Sequence, residues 1–199
     1  MKGSRFFVPI GYLILSVFLV AAGIFWTQQP PKCLHEAEIA ELRKEYPVYK
    51  DYNPEMSPSL YAHQREAVED TDSVVCVEVL ARSNHARPPV RMLGDSQGIF
   101  QAGEEFYLVT GTAYIGYTPN FSPGVKLVVP VLADWEHESR ELVYARLCSY
   151  YVTEDGYLLS VYPDRVFGEE EDFTGRTLEE YWKKCRSWKR FAPEREELG

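Results

Sequence analysis

The sequence lacks the residue patterns of common metal and cofactor sites. Its four cysteines stand far apart without a C-x-x-C pair, and no histidine lies four residues from another or in an H-E-x-x-H pattern. These absences argue against a zinc site. The chain also has no P-loop and no G-x-G-x-x-G, the phosphate-binding signatures of nucleotide enzymes. We therefore expect no metal, no cofactor and no catalytic activity.

Acidic residues are missing from the start of the chain, where the first is Glu36. Lys2 and Arg5 precede Phe6 to Trp26, a run of 21 residues without charge. A helix of that length rises about 30 Å, enough to cross the hydrocarbon layer. The preceding basic residues favour a cytoplasmic start. The sequence predicts a membrane anchor at residues 1–26, with a single-pass chain whose main domain is extracytoplasmic in the cell membrane.

A cleaved signal peptide is the alternative interpretation of this segment. Val20-Ala21-Ala22 offers the small residues that a signal peptidase reads after an apolar region. Cleavage there would release a secreted domain. The apolar run continues to Trp26, beyond the usual length of a signal-peptide core, which favours the uncleaved anchor.

The rest of the chain is acidic and has the size of one domain. After residue 26 it carries 19 Lys and Arg against 30 Asp and Glu, a net charge of −11. Such a balance argues against nucleic acid as a partner. Residues 27–71 read as a helical spacer, with helices expected at His35 to Tyr46 and Pro58 to Glu69.

Residues 72–166 have the pattern of a β domain. SVVCVEVLA alternates with a period of two, and three later runs combine β-branched and aromatic residues: EEFYLVTGTAYI, VKLVVPVLA and ELVYARLCSYYVT. The stretch from Arg82 to Gly98 reads as a polar connection. Pro130 predicts an edge strand or a bulge, and Asp155-Gly156 predicts a hairpin with a type I′ turn.

This strand count predicts an α+β, mainly β fold. We expect an amino-terminal transmembrane helix, then a small five-stranded OB-like barrel with two or three flanking helices. One of these is a carboxyl-terminal amphipathic helix within residues 174–191. Thr177 and Glu180 fit a capping box at its start, and its apolar residues recur at helical spacing.

Two groups of residues are candidates for binding. The loop from Tyr114 to Gly124 has the aromatic residues of a ligand-contacting rim, namely Tyr114, Tyr117 and Phe121, although it could equally be a packed connection. The carboxyl-terminal helix gathers basic residues that suit anionic lipid headgroups or an anionic envelope polymer: Lys183, Lys184, Arg186, Lys189 and Arg190. The alternative is that cations simply favour the carboxyl end of a helix.

The cysteines allow disulfides in an exported chain. Cys76 and Cys148 both lie in strand-like runs, where a cross-strand pair could form. Four cysteines have three pairings, and the sequence does not select one.

The β domain resembles uncharacterised exported or membrane-anchored bacterial proteins. The likeness lies in DTDSVVCVEVL, AGEEFYLVTG, VPVLADWEHE and LVYARLCSYYVTEDGYLLS. It implies a small barrel whose final strand pair closes over an Asp-Gly turn, and it carries no established activity. The usual glycine between the fourth and fifth strands is replaced here by Trp135-Glu136-His137-Glu138.

Together these features lead us to expect a membrane-anchored binding or interaction module of the bacterial envelope. Its partners would be the membrane, through residues 6–26, and an envelope protein or anionic polymer. The alternative function is an accessory or structural subunit of a membrane complex, which the small residues Ala21, Ala22 and Gly23 favour as helix-contact positions.

Overall fold

The computed structural model describes residues 33–49, 63–82, 87–109, 121–133, 140–145, 148–162 and 172–190. They form α1 Glu36–Leu42, α2 Gln64–Asp70, β1 Ser73–Val79, β2 Pro89–Asp95, β3 Glu105–Val109, β4 Lys126–Ala133, β5 Glu141–Tyr144, β6 Tyr150–Val152, β7 Leu158–Ser160 and α3 Leu178–Arg190. The predicted anchor at residues 6–26 lies outside these ranges. Within them, no helix combines the length and apolar character needed to cross a bilayer.

Five strands close into a mixed barrel. β1 pairs antiparallel with β2 and β4, β2 pairs antiparallel with β3, and β4 pairs antiparallel with β5. β3 and β5 run parallel. The ring β1-β2-β3-β5-β4 therefore returns to β1, and each of its strands has a neighbour on both sides. The prediction of a mainly β fold with a five-stranded barrel is confirmed at this level.

The alternating residues of β1 are buried on both of its faces. Val75, Val77 and Val79 belong to the barrel interior, while Val74 and Cys76 pack in a second cluster outside it. Burying one valine side chain contributes about 1.5–3 kcal/mol. This two-sided burial explains why β1 is apolar at nearly every position.

β2 lies inside the stretch from Arg82 to Gly98 that was predicted to be a polar connection, so that prediction is wrong. Val90 and Met92 are fully buried and Arg91 is exposed, which is the alternation of a strand. The register against β1 shifts between Cys76 and Val77, so Leu93 is an extra, bulged residue. The strand was not predicted because its alternation is short and because it begins at a proline, a residue that is rare within strands.

Pro130 was predicted to lie in an edge strand or at a bulge, but it lies in a central strand that pairs with β1 without a bulge. β4 pairs with β1 without a register shift across this position, while on its other side the partner changes from β6 to β5. The Pro130 carbonyl accepts a hydrogen bond from the Ala145 N–H at 2.9 Å. The N–H and C=O of one residue point to the same side of a strand. The side on which Pro130 lacks an N–H is therefore the side of β5 and β6, so proline removes no hydrogen bond to β1.

The predicted hairpin over Asp155-Gly156 joins β6 to β7. Its turn is not type I′, because Gly156 has a φ of 80° and Asp155 has no positive φ. Thr153 accepts the Gly156 N–H at 3.0 Å through its carbonyl and the Tyr157 N–H at 3.0 Å through its hydroxyl. These two hydrogen bonds stabilise a connection that is longer than a two-residue turn.

A second layer, formed by α2 and α3, covers the outside of the barrel. Gln64 of α2 is fully buried there. Its amide nitrogen donates to the Tyr181 hydroxyl at 2.7 Å, and its amide oxygen accepts from the Tyr150 hydroxyl at 3.1 Å. Burial raises the pKa of both tyrosines, which keeps the hydroxyls neutral. The predicted helix from Leu178 to Arg190 is confirmed, and the Thr177–Glu180 capping box starts it.

Residues 33–49, which fall in the predicted spacer, pack on the barrel. The Arg43 guanidinium donates to the Ser160 carbonyl at 2.6 Å and to its hydroxyl at 2.9 Å. Tyr46 is buried against the Tyr151 ring at 5.7 Å. The Tyr49 N–H donates to the Val161 carbonyl at 2.8 Å. The Arg43 bond pairs the outward carbonyl of Ser160 on β7, whose other outward backbone groups pair with residues 174–176.

Candidate functional site

A row of alternating charges crosses the outer surface of the barrel. The register places Lys126 of β4 beside Glu78 of β1, Glu78 beside Arg91 of β2, and Arg91 beside Glu105 of β3. The Arg91 guanidinium lies 3.6 Å from each of the carboxylates of Glu78 and Glu105. Opposite charges on neighbouring strands support this register by a few tenths of a kcal/mol per pair.

Beside this row lies a cluster of four residues that we call the Tyr107 rim: Arg87, Tyr107, Arg140 and Glu141. The Arg87 guanidinium lies 5.1 Å from the centre of the Tyr107 ring and forms an ion pair with the Glu141 carboxylate. Tyr107 is 43% exposed, whereas the other aromatic side chains of the described strands are more buried. The rim therefore offers an accessible aromatic surface next to charges of both signs.

Backbone strain occurs at the same rim. Arg140 has a φ of 49°, the single positive value at a non-glycine residue among the positions described. Its carbonyl accepts the Tyr107 N–H at 2.9 Å. Non-glycine residues in this region cost about 1 kcal/mol or more and concentrate at functional sites. The rim thus contains the one strained non-glycine residue among those described.

The parallel pairing of β3 with β5 brings the rim together. It sets Tyr107 opposite Glu141, and Arg87 enters from the residues just before β2. The Arg87 side chain is 49% exposed and that of Glu141 is 28% exposed. Ion pairs this accessible contribute at most about 1 kcal/mol, so a ligand can replace them at little cost. The rim is therefore suited to reversible binding.

Metal chemistry has no support from the described part of the chain. Within it, no group of three or more His, Cys, Asp or Glu side chains is arranged to hold an ion. The absence of a metal stays a prediction.

The aromatic loop predicted to contact a ligand is only partly covered by the structure. Tyr114 and Tyr117 lie outside the described residues. Phe121 is 5% exposed and packs edge-on against Tyr151 with ring centres 6.1 Å apart. The Phe121 ring lies in the barrel interior, as expected from the alternative interpretation of this loop as a packed connection. The exposed aromatic residue of the described barrel is Tyr107, which the alternation in EEFYLV could have placed on the outer face.

The predicted basic residues are on the outer side of α3. Lys183, Lys184, Arg186 and Arg190 are exposed, and Lys189 is partly buried. The Lys189 ammonium donates to the Glu69 carbonyl at 2.8 Å, at the carboxyl end of α2. One member of the predicted group thus has a structural role, while the other four face outward.

The cysteines are all free thiols, and only Cys33 is exposed. The disulfide predicted between Cys76 and Cys148 is not formed. Cys76 lies on β1 and Cys148 precedes β6, with β4 between these strands. Two strand spacings are about 9.5 Å, too far for the about 7 Å limit between the Cα atoms of a disulfide. Burial raises the pKa of Cys76 and of Cys185 to about 12, so both thiols stay protonated.

A serine motif escaped the sequence interpretation. Residues 94–98 read Gly-Asp-Ser-Gln-Gly, which matches the G-x-S-x-G spelling of serine hydrolases. Such a serine needs an exposed strand-to-helix turn. Ser96 instead is 5% exposed in the connection after β2, and its hydroxyl accepts the Val74 N–H at 3.2 Å. This hydroxyl anchors the loop to β1, and the residue does not stand on the exposed turn that the motif requires.

The fold and the rim define a closed five-stranded mixed β-barrel protein with an exposed aromatic and charged surface. Comparisons with protein-family models, with curated proteins and with solved structures give no match for this chain.

Proposed function

We propose that this protein is a binding or interaction module of the bacterial cell envelope, without catalytic activity. In this proposal residues 6–26 hold it in the membrane, the barrel lies on the extracytoplasmic side, and the ligand binds at the Tyr107 rim. The supporting observation is the half-exposed Tyr107 ring, held under the Arg87 guanidinium in a cluster that includes the strained Arg140.

The strand order supports an OB-like classification of the barrel. The ring β1-β2-β3-β5-β4 with parallel β3 and β5 is the arrangement expected of an OB-type Greek-key barrel. Barrels of this type bind oligonucleotides and oligosaccharides on the face of strands 2 and 3, beside the loops that follow strands 1 and 4. Tyr107 comes from β3, Arg87 from the connection after β1, and Arg140 from the connection after β4. The rim occupies that general location.

The chemistry of the rim favours a large ligand with both flat and charged groups. The tyrosine ring offers a surface for stacking, and the arginines offer donors for carboxylate or phosphate groups. The acidic body argues against nucleic acid. An envelope protein or an anionic envelope polymer fits these groups.

Association in membrane extracts tests the proposal. The full-length chain is extracted in mild detergent, and its native size is measured for the wild type and for Tyr107→Ala and Arg87→Ala. We expect the wild type to migrate above its own mass and each variant to lose at least about tenfold in association, as at interface anchors. Lys44→Ala is the control, since this side chain is 72% exposed on α1. A wild type that migrates alone, or variants that migrate with it unchanged, would contradict the proposal.

A further inference from the structure

The orientation of α3 is fixed by its buried side. Tyr181, Cys185 and Trp188 pack in the cluster outside the barrel, with the Phe173 ring 4.8 Å from that of Tyr181. This packing turns four basic side chains outward, which we call the α3 basic face: Lys183, Lys184, Arg186 and Arg190. The packing of α3 therefore determines which basic side chains are exposed.

The helix dipole does not account for this face. Its favourable effect on cations is confined to the last turn of a helix, which contains Arg190. Lys183, Lys184 and Arg186 lie further toward the helix start. Among the residues described, neither Lys183 nor Arg186 forms an ion pair, while Lys184 lies 5.5 Å from the Trp188 ring centre. In a protein of net charge −9, this concentration of cations indicates an anionic partner.

The start of α3 is tied to the residues that follow the predicted anchor. The Leu34 N–H donates to the Gly175 carbonyl at 2.9 Å, three residues before the helix begins. Leu34 is the eighth residue after Trp26, and eight residues reach at most about 29 Å. α3 itself is about 20 Å long. The start of α3 is therefore bonded to a residue that stands close in sequence to the predicted anchor.

We propose that the α3 basic face binds the anionic phospholipid headgroups of the membrane in which the chain is anchored. Lys and Arg gathered on an exposed helix face are attracted to anionic lipid headgroups within about one Debye length of the membrane surface. The inference rests on the proposed function in taking residues 6–26 as the anchor.

Lysine labelling in vesicles tests this contact. The full-length protein is reconstituted into phosphatidylcholine alone or with about one-third phosphatidylglycerol. A water-soluble amine-reactive reagent is added, and modification at each lysine is read by peptide mass spectrometry. We expect Lys183 and Lys184 to react at least about fivefold more slowly in the anionic vesicles and to recover in high salt. Lys44 is the internal control and should react equally in both.

The outcomes separate this inference from the anchor on which it rests. Equal labelling of Lys183 and Lys184 in both lipids would overturn the basic-face proposal, and so would protection produced by a soluble anionic polymer but not by anionic lipid. If the chain fails to float with pure phosphatidylcholine vesicles, the anchor is wrong. Flotation with anionic vesicles then tests whether the basic face binds anionic lipid. The paired changes Lys183→Gln and Arg186→Gln should abolish this flotation, and Lys44→Gln should not.

Discussion

Gly94 shows how one residue allows α3 to approach the barrel. A Cβ atom added there would lie 3.1 Å from the Cη2 atom of Trp182. Gly94→Val should therefore lower the free energy of unfolding by about 1–3 kcal/mol, as overpacking does. Urea denaturation measures this loss. In a Trp182→Ala background the same change should cost much less, and an equal cost in both backgrounds would show that the close contact is not the cause.

The accessibility of the thiols follows from their burial. Cys33 is exposed, whereas Cys76, Cys148 and Cys185 are buried and none is oxidised. At neutral pH a thiol reagent should modify Cys33 quickly and the other three only after denaturation. Counting labelled sites by intact mass, without reductant, checks this. Modification of only two sites in the denatured chain would show that a disulfide exists after all.

The buried thiols also predict how stability depends on pH. Burial raises the pKa of Cys76 and of Cys185 from 9.0 to about 12. Between these values the unfolded chain loses the thiol protons and the folded chain keeps them. Their contribution to stability is therefore complete below pH 9 and falls as the pH rises toward 12. Denaturation with urea along a pH series measures this. Cys185→Ala should flatten the fall, and an identical slope in the variant would contradict the assignment.

Among the elements, α1 is followed directly by Arg43, whose side chain helps to hold this helix on the barrel. The two hydrogen bonds from Arg43 to Ser160 should make Arg43→Ala cost about 1–3 kcal/mol. Arg43→Lys should not restore the loss, because an ammonium cannot reproduce the fork of a guanidinium. The neighbour Lys44, paired with Glu41 on the surface, is the matched control, and Lys44→Ala should cost less than about 0.5 kcal/mol. Equal unfolding midpoints for both alanine variants would refute this role.

Elements with a complete local pattern were predictable from sequence. The alternation of Val75, Val77 and Val79 defines β1, and Thr177 with Glu180 defines the start of α3. β2 was missed because its pattern is short and begins at a proline. The turn at Asp155 was misassigned because hydrogen bonds to Thr153 select the longer connection, and these depend on strand register rather than on the dipeptide.

At the scale of the whole molecule, neither barrel closure nor the rim can be read from local pattern. Arg87, Tyr107 and Glu141 are distant in sequence, and they meet because β3 pairs in parallel with β5. The sequence placed the aromatic contact at Phe121, but closure buries that ring. The basic residues of α3 were found from sequence because residues three or four positions apart in a helix lie side by side. Barrel closure and the residues of the rim thus depend on pairing between distant strands, which local sequence patterns do not predict.

Site-specific photo-crosslinking tests most directly whether this protein binds through the Tyr107 rim. A photoreactive amino acid replaces Tyr107 in the full-length chain in a living bacterium, and Lys44 in a matched control. We expect a discrete adduct from position 107 that weakens when Arg87→Ala is added, and no such adduct from position 44. Adducts of equal yield from both positions, or none from position 107, would contradict a binding role for the rim.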